Sequence, residues 1–250
     1  MNRHFKIVIP FYNVEDWIRR TVLSVKHQNY ESFQCIMIND LSTDNTVDLI
    51  TKEIEGDDRF MLIQNKEKKY PFENIKTALE TTSPDKEDVV VILHGDDWLA
   101  HGRVLSVLNE KYKKKDCWMT YGSYVEYPSM QRGKFSQKVD DNVIQNNSFR
   151  KAEWSTSHLQ TFKYALWSHL EDESFKEPEN KEHHFMGAWD LAWTYPLLEL
   201  AGSKSHYIKE VLYIYNRQNP LNVDKVDRSN QLDSEQIIRN MKPMKPLEEL

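Results

Sequence analysis

The sequence contains only two cysteines, Cys35 and Cys117. Both sit inside apolar runs at a spacing that suits no metal site, which argues against a disulfide-framed scaffold and a cysteine-held metal. Long hydrophobic runs are missing as well. The apolar run near the start, Ile7-Val8-Ile9-Pro10, is too short for a signal-peptide core or a spanning helix, and no later segment is long enough. These absences predict a soluble, cytoplasmic protein in a reducing compartment, with peripheral membrane contact left open. Excess positive charge is also absent. A net charge of -6 argues against a partner such as nucleic acid, whose phosphates need a basic face. No G-x-G-x-x-G motif occurs, which removes the dinucleotide-binding oxidoreductases. There is no internal repeat and no low-complexity tract.

What remains is sufficient for a globular enzyme. Hydrophobic residues at 39% and aromatics at 12% of 250 residues supply a buried core for one sizeable domain. Short apolar runs at 5–9, 33–38, 60–63, 88–93 and 117–121 read as strands. Between them lie helical stripes: Val14, Ile18, Val22 and Val25, with Asn13 as N-cap; Val47, Ile50 and Ile54; and Val104, Leu105, Leu108 and Tyr112. This alternation predicts an α/β fold whose central, mostly parallel sheet carries helices on both faces.

Beyond residue 122 the order weakens. Residues 126–150 read as a polar excursion, a helix is expected from Thr156 to Leu170, and 171–184 read as a charged loop. A helix after Asp190 should be kinked or shifted by Pro196. Tyr207–Tyr215 reads as a strand. The division predicted is a single catalytic domain over 1–222, with a nucleotide-sugar-binding half (1–125) and an acceptor half (126–222), then a loosely held polar tail over 223–250.

In an open parallel sheet, ligands bind beyond the carboxyl ends of the strands. Three clusters follow those ends: Pro10-Phe11-Tyr12-Asn13, then Asn39-Asp40-Leu41-Ser42-Thr43-Asp44, then His94-Gly95-Asp96-Asp97-Trp98. The middle cluster is also ordinary turn and N-cap chemistry. The last is more pointed, because adjacent carboxylates at a buried strand end repel unless a cation or strong donors are present. Oxygen ligands of this kind suit Mg²⁺ or Mn²⁺.

The three blocks, with Gly187-Ala188-Trp189-Asp190 and Val211–Asn216 further on, resemble the GT-A fold glycosyltransferases of family 2. The resemblance implies a nucleotide-diphospho-sugar donor, a glycan, lipid-linked or protein hydroxyl acceptor, and a divalent metal. It implies that Pro10, Tyr12 and Asn13 border the donor, with the Tyr12 ring packed on the base. Asp40 would hydrogen-bond a uracil ring, which favours UDP over GDP or dTDP, and Asp96 would face the ribose or donor sugar. Asp97 would be the main protein ligand of Mn²⁺ or Mg²⁺, Asn74 a donor-side polar residue, and Asp190 the general base of an inverting displacement. His206 is a further candidate for the metal shell, and Trp189 for stacking on a sugar. The chain departs from the family pattern at Asn39, at His94, which removes a carboxylate from the metal motif, and at Trp189-Asp190 in place of Glu-Asp. Two competing readings are a non-catalytic nucleotide-sugar or glycan-binding module, and a sugar-1-phosphate nucleotidyltransferase. The latter needs a glycine-rich basic loop after the first strand, which Pro10-Phe11-Tyr12-Asn13 does not provide.

Overall fold

A computed structural model describes the chain apart from residues 1, 115, 172–174, 178, 179 and 186. The amino-terminal half runs β1 (Phe5–Phe11), α1 (Ile18–Lys26), β2 (Phe33–Asn39), α2 (Thr46–Ile54), β3 (Phe60–Gln64), α3 (Tyr70–Thr82), β4 (Val89–Ile92), β5 (Trp98–Leu99) and α4 (Val104–Tyr112). It continues through β6 (Met119–Tyr127), β7 (Gln131–Arg132), α5 (Asp141–Gln145), β8 (Thr161–Lys163), α6 (Tyr164–Trp167), β9 (Lys176–Glu177) and β10 (Asn180–His184). The last elements are α7 (Trp189–Ala201), β11 (Ser205–Asn216), α8 (Val223–Val226) and α9 (Arg228–Asn240).

One sheet has the strand order β3-β2-β1-β4-β8-β6-β11-β5, with β7 paired on β6. Strands β1 to β4 are mutually parallel, as are β6 and β11, while β8 and β5 run antiparallel to their neighbours. Side chains alternate across the pleat, so β1 sends Val8 to one core and Ile7 and Ile9 to the other. Helices α1, α2 and α4 cover the second face; α3, α7 and α9 cover the first. The α/β architecture read from the sequence is therefore the one observed.

The carboxyl-terminal half departs from its sequence reading in three places. Residues 156–170 are not one helix. Thr161 and Phe162 are inserted between β4 and β6, and only Tyr164–Trp167 is helical. Sheet pairing there overrides the helical spacing of Leu159, Phe162 and Leu166, all of them buried. Helix α7 is not interrupted at Pro196, since 12 of its 13 residues are buried and its packing outweighs the lost hydrogen bond. In the charged stretch, the described residues include the antiparallel pair β9 and β10.

The tail is not loose. The Ile238 side chain is fully buried, and Leu247 N donates to Leu200 O at 2.9 Å. A buried ion pair, Arg150 to Glu199 at 2.5 Å, anchors the segment: Arg150 also donates to Ile238 O, and Glu199 accepts from Met244 N. Gly187 explains how closely α9 sits against the start of α7, because a Cβ there would lie 2.6 Å from Asn230 O. No helix among the described residues is long and apolar enough to cross a membrane.

Candidate active site

The parallel strands end on one rim, and there they open a cleft of about 400 Å³. Pro10, Tyr12, Asp40, Asn74, Asp96, Trp189 and Asp190 all line it. Three strand ends and the first turn of α7 thus converge, and this convergence depends on Gly95. A Cβ on that residue would lie 2.4 Å from the Phe11 Cβ, so only glycine lets the β4 turn pass under the end of β1.

The adjacent carboxylates Asp96 and Asp97 have opposite fates. Asp97 is 1% exposed and does not line the cleft. Its carboxylate accepts from the Tyr213 hydroxyl at 2.5 Å and from Asn216 N at 2.6 Å, and His94 Nδ1 stands 3.4 Å away. Its backbone carbonyl accepts from the Thr21 hydroxyl at 2.6 Å. The expectation that Asp97 is the principal metal ligand does not match this geometry, in which strong protein donors answer its charge. Asp96 is the member that opens on the cleft, with one oxygen accepting from Asn219 Nδ2 at 2.7 Å. Burial and the neighbouring Asp97 charge push its carboxyl up to about 6.

His94 lies among these acids. Burial opposes its proton, but the Asp97 hydrogen bond and the charges of Asp97, Asp96 and Asp190 prevail and raise its pKa. Burial likewise raises the carboxyl of Asp190, which His94 partly offsets; the helix N-terminus does not hold that acid low. In the sequence His158 falls inside the helix expected from Thr156 to Leu170, with nothing to mark it as a cleft residue. It is packed parallel to Tyr213 at 4.5 Å and Tyr215 at 5.5 Å, edge-on to His94 at 5.1 Å, and it lines the cleft. Burial, then the His94 charge, drives its pKa well below the usual histidine value, so it is a neutral ring.

At the other end, Asp40 accepts from Asn65 Nδ2, Lys69 N and Tyr70 N, fastening the loop before α3. Asn74 Oδ1 accepts from the same Asn65 amide at 2.7 Å. Lys68 Nζ stands 3.0 Å from the centre of the Tyr12 ring. Asn13 is not brought into the cleft and does not cap α1. It binds Thr43 N at 2.8 Å and Ser42 Oγ at 3.0 Å, tying the end of β1 to the loop after β2.

His206 is a clear miss. It sits at the amino end of β11, beside Thr120 and 3.8 Å from Asp116, whereas the Asp97 contacts come from the far end of that strand. It cannot complete a metal shell at the cleft. Trp98, Trp154, Trp167 and Trp193 do not line the cleft, while Trp189 does, 5.4 Å from His94. The Lys111–Lys115 run reads as a solvated face and His183-His184 as a surface loop pair, but Lys115 and the His183 side chain lie outside the described residues.

No group of three or more histidine, cysteine, aspartate or glutamate side chains among the described residues is arranged to hold a metal. One cleft-facing carboxylate, Asp96, nevertheless fits a hard divalent cation that arrives with a diphosphate, since such cations are held by one or two carboxylates and substrate phosphates.

Residues 6–167 match the family described as glycosyl transferase family 2. The chain belongs to that family. Among its relatives, a GalNAc(5)-diNAcBac-PP-undecaprenol beta-1,3-glucosyltransferase of Campylobacter jejuni is 26% identical over 212 residues, 84% of this chain and 63% of its own length. An uncharacterized glycosyltransferase of Haemophilus influenzae is 28% identical over 149 residues, 58% of each chain. This chain therefore spans about three fifths of the length of both. Among solved structures, S. aureus TarS 1-349 in complex with UDP-GlcNAc superposes with a TM-score of 0.67 at 14% identity, over 94% of this chain and 65% of that one. The mannosyltransferase PcManGT of Pyrobaculum calidifontis, in complex with GDP-Man and Mn²⁺, gives 0.63 at 16% identity, over 98% and 66%. These are GT-A glycosyltransferases, and the fold is theirs.

Proposed function

We propose that the cleft binds a nucleotide-diphospho-sugar and that the chain transfers its sugar to a hydroxyl acceptor. The observation that carries the reading is the placement of Asp96 and Asp190 on one cleft, both close enough to His94 for their charges to raise its pKa. The base end is the Tyr12–Asp40–Asn74 wall. The acceptor half supplies Asp190 and the flat face of Trp189, suited to a sugar ring.

Asp190, with its raised pKa, takes the proton of the acceptor hydroxyl as that oxygen attacks the anomeric carbon. The bond from that carbon to the diphosphate oxygen breaks, so a single displacement inverts the centre. Asp96 faces the developing positive charge on the sugar and is the residue that would hold Mn²⁺ or Mg²⁺, which would supply Lewis-acid neutralisation of the departing diphosphate. Asp97 serves as a positioning residue, fastening the turn that presents Asp96. The uracil-directed reading of Asp40 favours a UDP donor, as in the TarS complex with UDP-GlcNAc. The Campylobacter relative acts on a PP-undecaprenol-linked glycan, and we extend to this chain the class of glycan or lipid-linked acceptor.

The non-catalytic binding module remains a second reading because Asp97, the motif carboxylate, is turned inward. The two are separated by following hydrolysis of UDP-, GDP- and dTDP-sugars with Mn²⁺ and with a chelator. Metal-dependent turnover of one donor supports the transferase. Nucleotide binding with no turnover, with or without glycan acceptors, supports the module.

A further inference from the structure

The base end of the cleft is already covered by a side chain of the protein itself. The Lys68 ammonium stands 3.0 Å from the centre of the Tyr12 ring, the contact a cation makes with a π face. The same nitrogen donates to Asp40 O at 3.1 Å and lies 3.5 Å from Asp40 Oδ2. The rest of the Asp40 carboxylate is engaged: Oδ1 accepts from Asn65 Nδ2 and Lys69 N, and Oδ2 from Tyr70 N. A carboxylate offers about four acceptor positions, and Lys68 faces the one left over. One ammonium therefore masks both an aromatic face and a carboxylate acceptor.

We propose that Lys68 is a latch on the base subsite, occupying the Tyr12 face and the spare Asp40 acceptor until a nucleobase displaces it. The inference rests on the donor-site reading above. A base that stacks on Tyr12 and presents a ring N–H, as uracil, thymine and guanine do, replaces both contacts at once. Cytosine and adenine have no ring N–H and reach the carboxylate only through an exocyclic amino group. Displacing Lys68 therefore lowers the affinity for every base, while the Asp40 acceptor it uncovers favours those with a ring N–H. The latch is free to move, because its side chain is one third exposed and its loop is held by the Lys69 and Tyr70 amides, which its departure leaves in place.

The test is a ligand-detected NMR titration with uridine, and separately with UDP and Mn²⁺, on the wild type, Lys68→Met and Lys68→Arg. The latch predicts that Lys68→Met binds uridine roughly two- to fivefold more tightly, the size of an exposed cation–π contact, while Lys68→Arg, which keeps a cation on the ring, stays near wild type. Unchanged or weaker uridine binding by Lys68→Met overturns the latch. So does a loss confined to UDP, which would make Lys68 a phosphate contact. Failure of both uridine and UDP with Mn²⁺ to bind any of the three proteins would instead remove the donor-site reading, and the latch with it.

Discussion

The two halves of the chain form opposite walls of one cleft, and they hold their functional groups by different means. In the first 125 residues the groups at the base end are fixed from within that half: Asp40 by the backbone of residues 69 and 70, and the end of β1 by residues 42 and 43. The later half works at long range. Tyr213 and Asn216 hold Asp97, and Asn219 holds Asp96, across 116 to 123 residues of sequence. The base subsite should therefore survive damage to the later half, whereas the acidic pair and the catalytic step should not.

Asp190→Asn should separate the halves most sharply. Removing the base without disturbing the donor wall is expected to lower transfer by about 10²–10⁴, with nucleotide affinity within twofold. Near-wild-type transfer would place the base elsewhere. A structural break comes next. Glu199→Gln leaves the buried Arg150 guanidinium without its counter-charge and should cost about 3 kcal/mol of stability, read by urea denaturation. Were the pair solvated instead of buried, the loss would be well under 1 kcal/mol, as for surface ion pairs.

A smaller effect sharpens the contrast through pH. The folded state holds His158 neutral, with its pKa far below 6.5, whereas the unfolded chain takes up that proton as pH falls through 6.5. The contribution of His158 to stability is thus present above pH 6.5 and declines below it, by at most about 1.4 kcal/mol per pH unit. His94, with a raised pKa, acts in the opposite sense: its contribution is present below pH 6.5 and is lost as pH rises through the folded value. His158→Phe keeps a ring between Tyr213 and Tyr215. The difference in stability between wild type and variant should shrink in favour of the variant from pH 7 to pH 5, and a pH-independent difference would refute the assignment.

The same contrast governs what could be read from residues alone. Strands β1, β2 and β4 and helices α1 and α2 announce themselves because each is a local pattern of apolar spacing, whereas α3 (Tyr70–Thr82) is not among the predicted helices; the loops at the strand ends contain Tyr12, Asp40, Asp96 and Asp97. The later half gives weaker local signals. Leu159, Phe162 and Leu166 keep helical spacing, yet they belong to a strand and a short helix whose order comes from β4 and β6. His158 shows no local sign of its place between two tyrosines fifty-odd residues away. Nor does Gly-Asp-Asp say which carboxylate faces inward, because that depends on Tyr213 and Asn219.

The division of labour within Gly95-Asp96-Asp97 can be measured directly by Mn²⁺ electron paramagnetic resonance in the presence of UDP, on the Asp96→Asn and Asp97→Asn proteins. The account predicts that Asp96→Asn folds normally and loses Mn²⁺ binding, while Asp97→Asn loses thermal stability and still binds Mn²⁺ wherever it remains folded. Loss of Mn²⁺ in a fully stable Asp97→Asn protein, with binding intact in Asp96→Asn, would contradict it.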